Sequence, residues 1–279
     1  MDKQRDFIFC RNLINNFVIQ YLKGDIFNFL DFDFETLMQD KKYGCPNRSF
    51  DCDDTNLARA ICYLLWKDVY PKLTLQDIGT GRMYRGDTLN TFNTVLGSYL
   101  PEKQTSKGIL TSGATNEMHI LVNQFHRTYH TIGNFILLPN IAETDNKRAY
   151  TLNTYRGIAY KDYFDIFLQK LTTYSIEKNV DLHLSTLIER NNFFFSWLFS
   201  MGGVKYLKEV CWLDDYFESD VPKKLFEPYA YCPRKKKEWS TKEKMEYTQQ
   251  VEKYIFKATC IIENRCLKMV TKLKNICYE

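Results

Sequence analysis

Glycine and proline are scarce in this chain, at 12 and 7 of 279 residues. That shortage argues against a many-stranded barrel, which needs a breaker at every corner, and favours long helices. Long apolar runs are also missing. The longest, such as Phe193-Phe194-Phe195-Ser196-Trp197-Leu198-Phe199, falls far short of the roughly 18 residues of a spanning helix, so no membrane partner is expected. A strong net charge is absent too: 38 Lys and Arg against 34 Asp and Glu leave +4, too little to name nucleic acid as partner by charge alone. The start Met1-Asp2-Lys3-Gln4-Arg5 lacks the apolar core of a signal peptide, and the nine scattered cysteines are odd in number. A reducing, cytoplasmic setting is expected.

Several chemistries are excluded by missing motifs. There is no Gly-x-Ser-x-Gly, no Walker-type loop and no dinucleotide fingerprint. Cys45 and Cys52 are too far apart for a zinc knuckle, as are Cys260 and Cys266.

What the chain does have is 44% hydrophobic residues, with 20 Phe and 19 Tyr, enough for a sizeable core. Apolar spacing predicts a mainly α protein: a single large helical domain with a long C-terminal helix and room for a small β element around 132–139. Helices are expected over 3–22, ended by Gly24, around 34–39, over 55–69, from Thr88 to Leu96 with Asp87 as N-cap, and from 116 to His130. Further helices are expected from about 158 to 171 and over 187–199, the latter with Thr186 and Glu189 as a capping box. Residues 72–86 read as loop, and 135–139 as a short strand or a helix continuation. We expect 1–217 to form the main domain and 218–239 an exposed basic connection through Arg234-Lys235-Lys236-Lys237. A helix of about 35 residues should fill 240–279, capped by Ser240 and Glu243.

Three of the four histidines share one helix. On the wheel of 116–130, His119, His126 and His130 fall together with Asn123 on the flank of an apolar stripe. His126 and His130 are four apart, so both can reach one divalent ion. The same placement suits histidines hydrogen-bonded at the edge of a core. An acid for such a site would have to arrive through the fold, from Asp87, Glu143 or Asp145. A second candidate is the loop Arg82-Met83-Tyr84-Arg85-Gly86-Asp87-Thr88, whose two arginines suit a phosphate or another anion, or solvent. A third is Asn153 and Arg156 in Leu152-Asn153-Thr154-Tyr155-Arg156-Gly157, which also suits an ordinary turn.

The stretch Ile132-Gly133-Asn134-Phe135-Ile136-Leu137-Leu138 resembles the Ile-Gly-Asn-Leu-x-Leu-Leu signature of HNH-type nuclease domains found in modification-dependent restriction enzymes. The wider set of Gly86-Asp87-Thr88, the Ile-Gly-Asn stretch and Leu152-Asn153 with Arg156-Gly157 is similar to an uncharacterised bacterial family. The nuclease resemblance implies a metal-dependent centre that cuts DNA with Mg, Mn or Zn. On that reading His130 is general base or metal ligand, and His126 a second ligand. Asn134 orients the base, Asp87 ligates or orients, and Arg82, Arg85, Asn153 and Arg156 hold substrate. The Glu-His-Ile-x-Pro element of those domains has no counterpart here, so a second reading stands beside the first. It is a non-catalytic helical protein that binds a small anionic ligand, a protein partner or a second copy through its C-terminal helix.

Overall fold

The computed structural model describes residues 3–45, 52–79, 83–89, 116–139, 164–177, 182–223, 225 and 240–279. These are mainly helical, with a long C-terminal helix and two small two-stranded sheets. Helix α1, Lys3–Tyr21, buries Cys10, Leu13, Ile14, Phe17 and Val18 at steps of three and four. It stops as the sequence predicts: Gly24 takes φ +80°, and its N–H returns to the Val18 carbonyl at 3.0 Å. Two 3-10 turns follow. Ile26–Asp31 is capped by Asp25, and Phe34–Leu37 by Asp33. Helix α2, Asn56–Trp66, opens on a Thr55 cap and is buried almost all round, so it fills the space beside α1.

The stretch expected as loop holds a short helix, α3 (Leu75–Gly79), and a strand, β1 (Met83–Asp87). Five residues each are too few to display a period. Helix α4, Asn116–Tyr129, lies where expected. Strand β2, Phe135–Pro139, decides the open case at 135–139 and pairs antiparallel with β1, with Asp87 opposite Phe135 and Met83 opposite Pro139.

This pairing corrects the expected helix start at Asp87. An N-cap must hold the amide two or three residues on. Here the Leu89 N–H already donates to Asn134 Oδ1 at 2.9 Å, the Thr88 N–H donates to the Asn134 carbonyl at 2.8 Å, and residues 88–89 are not helical. The remainder of that expected helix lies outside the described residues.

Helix α5 is Phe164–Glu177, and the expected span 187–199 is split into α6, Leu182–Arg190, and α7, Asn192–Ser200, by Asn191 at φ −114° and ψ 33°. Thr186 therefore sits inside α6 rather than capping a helix. The apolar stripe runs back through the buried Leu184, so the helix starts earlier than the capping pattern suggested. After α8, Val204–Val210, a hairpin of β3 (Phe217–Glu218) and β4 (Val221–Pro222) enters the expected connection. Leu225 just beyond it is buried, and the basic run at 234–237 lies outside the described residues.

Helix α9, Thr241–Tyr278, is 38 residues long and begins directly after Ser240. Its buried stripe runs through Tyr254, Ile255, Ala258, Ile261, Ile262, Arg265, Cys266, Met269, Val270, Leu273 and Cys277. That stripe packs against the Ile26–Asp31 turn, α2, α4 and a 3-10 turn at Ile132–Asn134. Arg11 Nε donates to the Cys277 carbonyl at 2.8 Å and ties α1 to the far end of the same helix. Among the described residues no helix is long and apolar enough to cross a membrane, and none of the eight described cysteines is joined in a disulfide.

Candidate metal centre

The Ile-Gly-Asn stretch is a buried 3-10 turn between α4 and β2. Each of its residues has a packing task. Ile132 is fully buried. Gly133 lies so close to α9 that a Cβ there would stand 2.2 Å from the Ile262 carbonyl oxygen and 2.6 Å from Cys266 Cβ, a space only glycine leaves open. Asn134, also fully buried, spends its whole hydrogen-bonding capacity on its surroundings. Its Oδ1 accepts from Thr88 Oγ1 at 3.0 Å and from the Leu89 amide at 2.9 Å. Its Nδ2 donates to the Leu89 carbonyl at 3.2 Å and to the Tyr129 carbonyl at 3.0 Å.

The Gly86-Asp87-Thr88 and Ile-Gly-Asn segments are thereby brought together through the β1–β2 register and the Asn134 clamp. The Asn134 side chain bonds the Tyr129 carbonyl, in the peptide that leads to His130, rather than the imidazole.

Arg265 reinforces the turn from α9. It is 1% exposed, donating from Nε to the Cys211 carbonyl at 2.8 Å and from Nη1 to the Gly133 carbonyl at 2.7 Å. Burial holds its pKa below the usual guanidinium value, while the nearby Cys211, Tyr216, Tyr70 and Cys62 act the other way. The apolar stripe read from the sequence steps over this position, so nothing in the spacing marked it.

His130 follows the last residue of α4. Its carbonyl accepts the Phe34 N–H at 3.1 Å, which satisfies one orphan acceptor at the helix end and pins the 33–37 turn against it. Phe34 itself is fully buried, stacked on Phe29 and edge-on to Phe135. Burying that ring is worth roughly 2 to 3 kcal/mol. With Phe34 driven inward, its neighbours Asp33 and Glu35 are left at the rim, both beside His130. Asp33 Oδ1 lies 3.5 Å and Glu35 Oε2 3.4 Å from His130 Nδ1, with side-chain exposures of 22% for Asp33, 36% for Glu35 and 13% for His130. Asp33 is oriented by its own cap bond, accepting the Glu35 amide at 2.8 Å.

The three groups could hold a metal ion, with one ligand atom from each lying within 4.8 Å of the others. Two carboxylate oxygens and one imidazole nitrogen form a mixed donor set suited to Zn or Mn. Ligands about 2.1 Å from a common ion stand about 3.0 to 3.4 Å apart, close to the two separations from His130 Nδ1. The C-terminal end of α4 adds its partial negative charge, so three sources of negative potential converge on one point.

The sequence located His130 but not Asp33 or Glu35. Its only signal for them was the alternation Asp-Phe-Glu in an acidic and aromatic stretch. The acids considered from the sequence, Glu143 and Asp145, lie outside the described residues, as do Arg82, Asn153 and Arg156. Arg85 and Asp87 have their backbone in β1 and His126 its backbone in α4, with side chains outside the described set.

A groove of about 570 Å³ opens beside the cluster, lined by Leu30, Asp31, Ile120, Gln124, Arg127, Thr128, Thr131 and Glu263. Asp31 and Thr131 are chain neighbours of the Asp33 turn and of His130. Comparison of the chain with protein-family models, curated proteins and solved structures returns no match.

Proposed function

We propose that Asp33, Glu35 and His130 form a divalent-metal site and that the protein is a metal-dependent hydrolase acting on nucleic acid, an HNH-like nuclease of the restriction or defence type. The observation that carries the reading is the convergence of two carboxylates on His130 Nδ1 at 3.4 and 3.5 Å, at a helix end that itself favours a cation. The resemblance of 132–138 to the nuclease signature supplies the substrate class.

Asp33, Glu35 and His130 Nδ1 would hold the ion. When bound, it supplies Lewis acidity to a phosphoryl oxygen and a more acidic water. The chain's own part is positioning: the Asp33 cap bond fixes one carboxylate, the Phe34–His130 backbone bond fixes the imidazole against both, and the Asn134 clamp fixes the peptide from which His130 departs.

The test is a titration of metal-free protein with Mn²⁺ and Zn²⁺ by calorimetry, alongside cleavage of single- and double-stranded DNA and RNA with Mg²⁺, Mn²⁺ or Zn²⁺. One site per chain is expected, lost together with cleavage in His130→Ala. Wild-type protein that binds no metal and cuts no nucleic acid overturns the reading.

A second reading has its own observation. Phe256, Cys260, Glu263 and Leu267 lie on one exposed stripe of α9, with Phe256 at 72% and Leu267 at 51% exposure. In a non-catalytic protein that stripe docks a partner or a second copy, and the His130 cluster serves as an ion pair joining α4 to the 33–37 turn. Light scattering of Phe256→Asp with Leu267→Asp checks it: a dimer that becomes a monomer supports docking, and an unchanged monomer removes it.

A further inference from the structure

The groove beside the metal cluster carries charges of both signs at separate places, which narrows what can lie in it. On α4 the lining residues Ile120, Gln124, Arg127 and Thr128 form a single stripe at steps of four, three and one, and Thr131 follows just beyond the helix. Arg127 is the cation of this lining, and it is exposed. Glu263 on α9 and Asp31 on the 26–31 turn supply the carboxylates. Those two sense each other: burial first, then the Asp31 charge, push the Glu263 carboxyl above its ordinary range. Leu30 and Ile120, the latter 64% exposed, supply apolar surface.

Two carboxylates and one guanidinium give the groove an excess of one negative charge. A track of successive phosphates needs the opposite balance, since each neutralised phosphate calls for its own cation. One phosphate fits Arg127, and no second lining cation is available among the described residues. The paired carboxylates need hydrogen-bond donors, and a base with an exocyclic amino group offers them. A volume of about 570 Å³ is within the range of small-ligand sites, roughly 300 to 1,000 Å³.

We propose that this groove holds a single nucleotide unit, its phosphate on Arg127 and the amino edge of its base on Asp31 and Glu263. The proposal rests on the hydrolase reading for its substrate class and names the part of the nucleic acid that the protein grips. It makes the protein selective for an amino-bearing base beside the scissile phosphate, rather than a reader of the backbone.

The test uses the full chain in EDTA, so that it does not depend on metal. Calorimetry compares CMP with UMP, and AMP with IMP, pairs in which the exocyclic amino group is replaced by a carbonyl and the adjacent ring nitrogen gains a hydrogen, and adds cytidine without phosphate. CMP and AMP should bind at least ten-fold more tightly than their partners. Glu263→Gln should erase that preference, and Arg127→Gln should weaken CMP about ten-fold while leaving cytidine unchanged. Both positions are exposed, and a cooperative melt no lower than that of the wild type will show that the variants fold. Equal affinity within each pair, no binding up to millimolar nucleotide, or a preference that survives Glu263→Gln overturns the proposal. A separate Mn²⁺ titration in buffer without EDTA reports on the metal site, so failure of either idea is seen on its own.

Discussion

Two 3-10 turns flank the end of α4 and are built to opposite plans. The Ile132–Asn134 turn is buried at every residue, and its polar groups are saturated: four hydrogen bonds at Asn134, one from Arg265 at Gly133. The Phe34–Leu37 turn, with its Asp33 cap, buries one ring and leaves two carboxylates at the rim against an imidazole. The first turn has no chemistry to spare. The second orients one of its carboxylates with a cap bond and keeps both within reach of the imidazole. A motif that stands out in the sequence can thus belong to the scaffold, while the groups able to do chemistry sit on a turn with no signature.

That contrast predicts unequal responses to mutation. The largest belongs to Gly133→Ala, where the new Cβ meets the backbone of α9 at 2.2 Å and neither side can yield. A loss of about 3 kcal/mol, the upper end for overpacking, is expected in urea unfolding, and an unchanged midpoint would break the comparison. Asn134→Ala follows closely. It strands the Leu89 amide and the Tyr129 and Leu89 carbonyls in the core, for a loss of roughly 2 to 3 kcal/mol.

In the other turn, Asp33→Asn combined with His130→Ala should change stability by no more than about 1 kcal/mol, because partly exposed ion pairs contribute little. The same double variant should lower Mn²⁺ affinity at least 100-fold by calorimetry, a split between folding and binding that the saturated turn cannot show.

The smallest effect is at Glu263. Its folded carboxyl is raised, so the folded chain holds that proton more tightly than the unfolded chain does. The stability this contributes is present at low pH and is lost as pH rises through the raised value. Glu263→Gln should therefore melt with the wild type near pH 4 and slightly above it near pH 7; a lower melting temperature at pH 7 would contradict the sign.

Much of the frame was legible because long helices announce themselves by period. The stripe of α1, its stop at Gly24, and α9 with its Ser240 start follow from spacing and breakers. Short elements did not announce themselves, since β1 and α3 have five residues each and their pairing partners lie far along the chain. Asp87 was misread for a related reason. As an N-cap it satisfies every local rule, and only the distant Asn134 takes the amide it would have held. At the Asp33–Glu35–His130 cluster, His130 was visible from its helix face, whereas Asp33 and Glu35 approach it from almost a hundred residues upstream, pinned by one backbone bond at Phe34. Arg265 escaped notice because a buried arginine held by two carbonyls has no sequence pattern.

The placement of α9 also bears on how the chain reaches its fold. Its stripe covers the Ile26–Asp31 turn, α2, α4 and the Ile132–Asn134 turn, yet it is made after all of them. Until residues 254–273 emerge from the ribosome, an uncovered apolar cleft faces the solvent, and the Arg11 bond to Cys277 must close across 266 positions. Docking also has to strip the water from Arg265 and seat it between two carbonyls in the same step. The core is therefore complete only once this one helix has landed, and whatever it covers stays open to water until then.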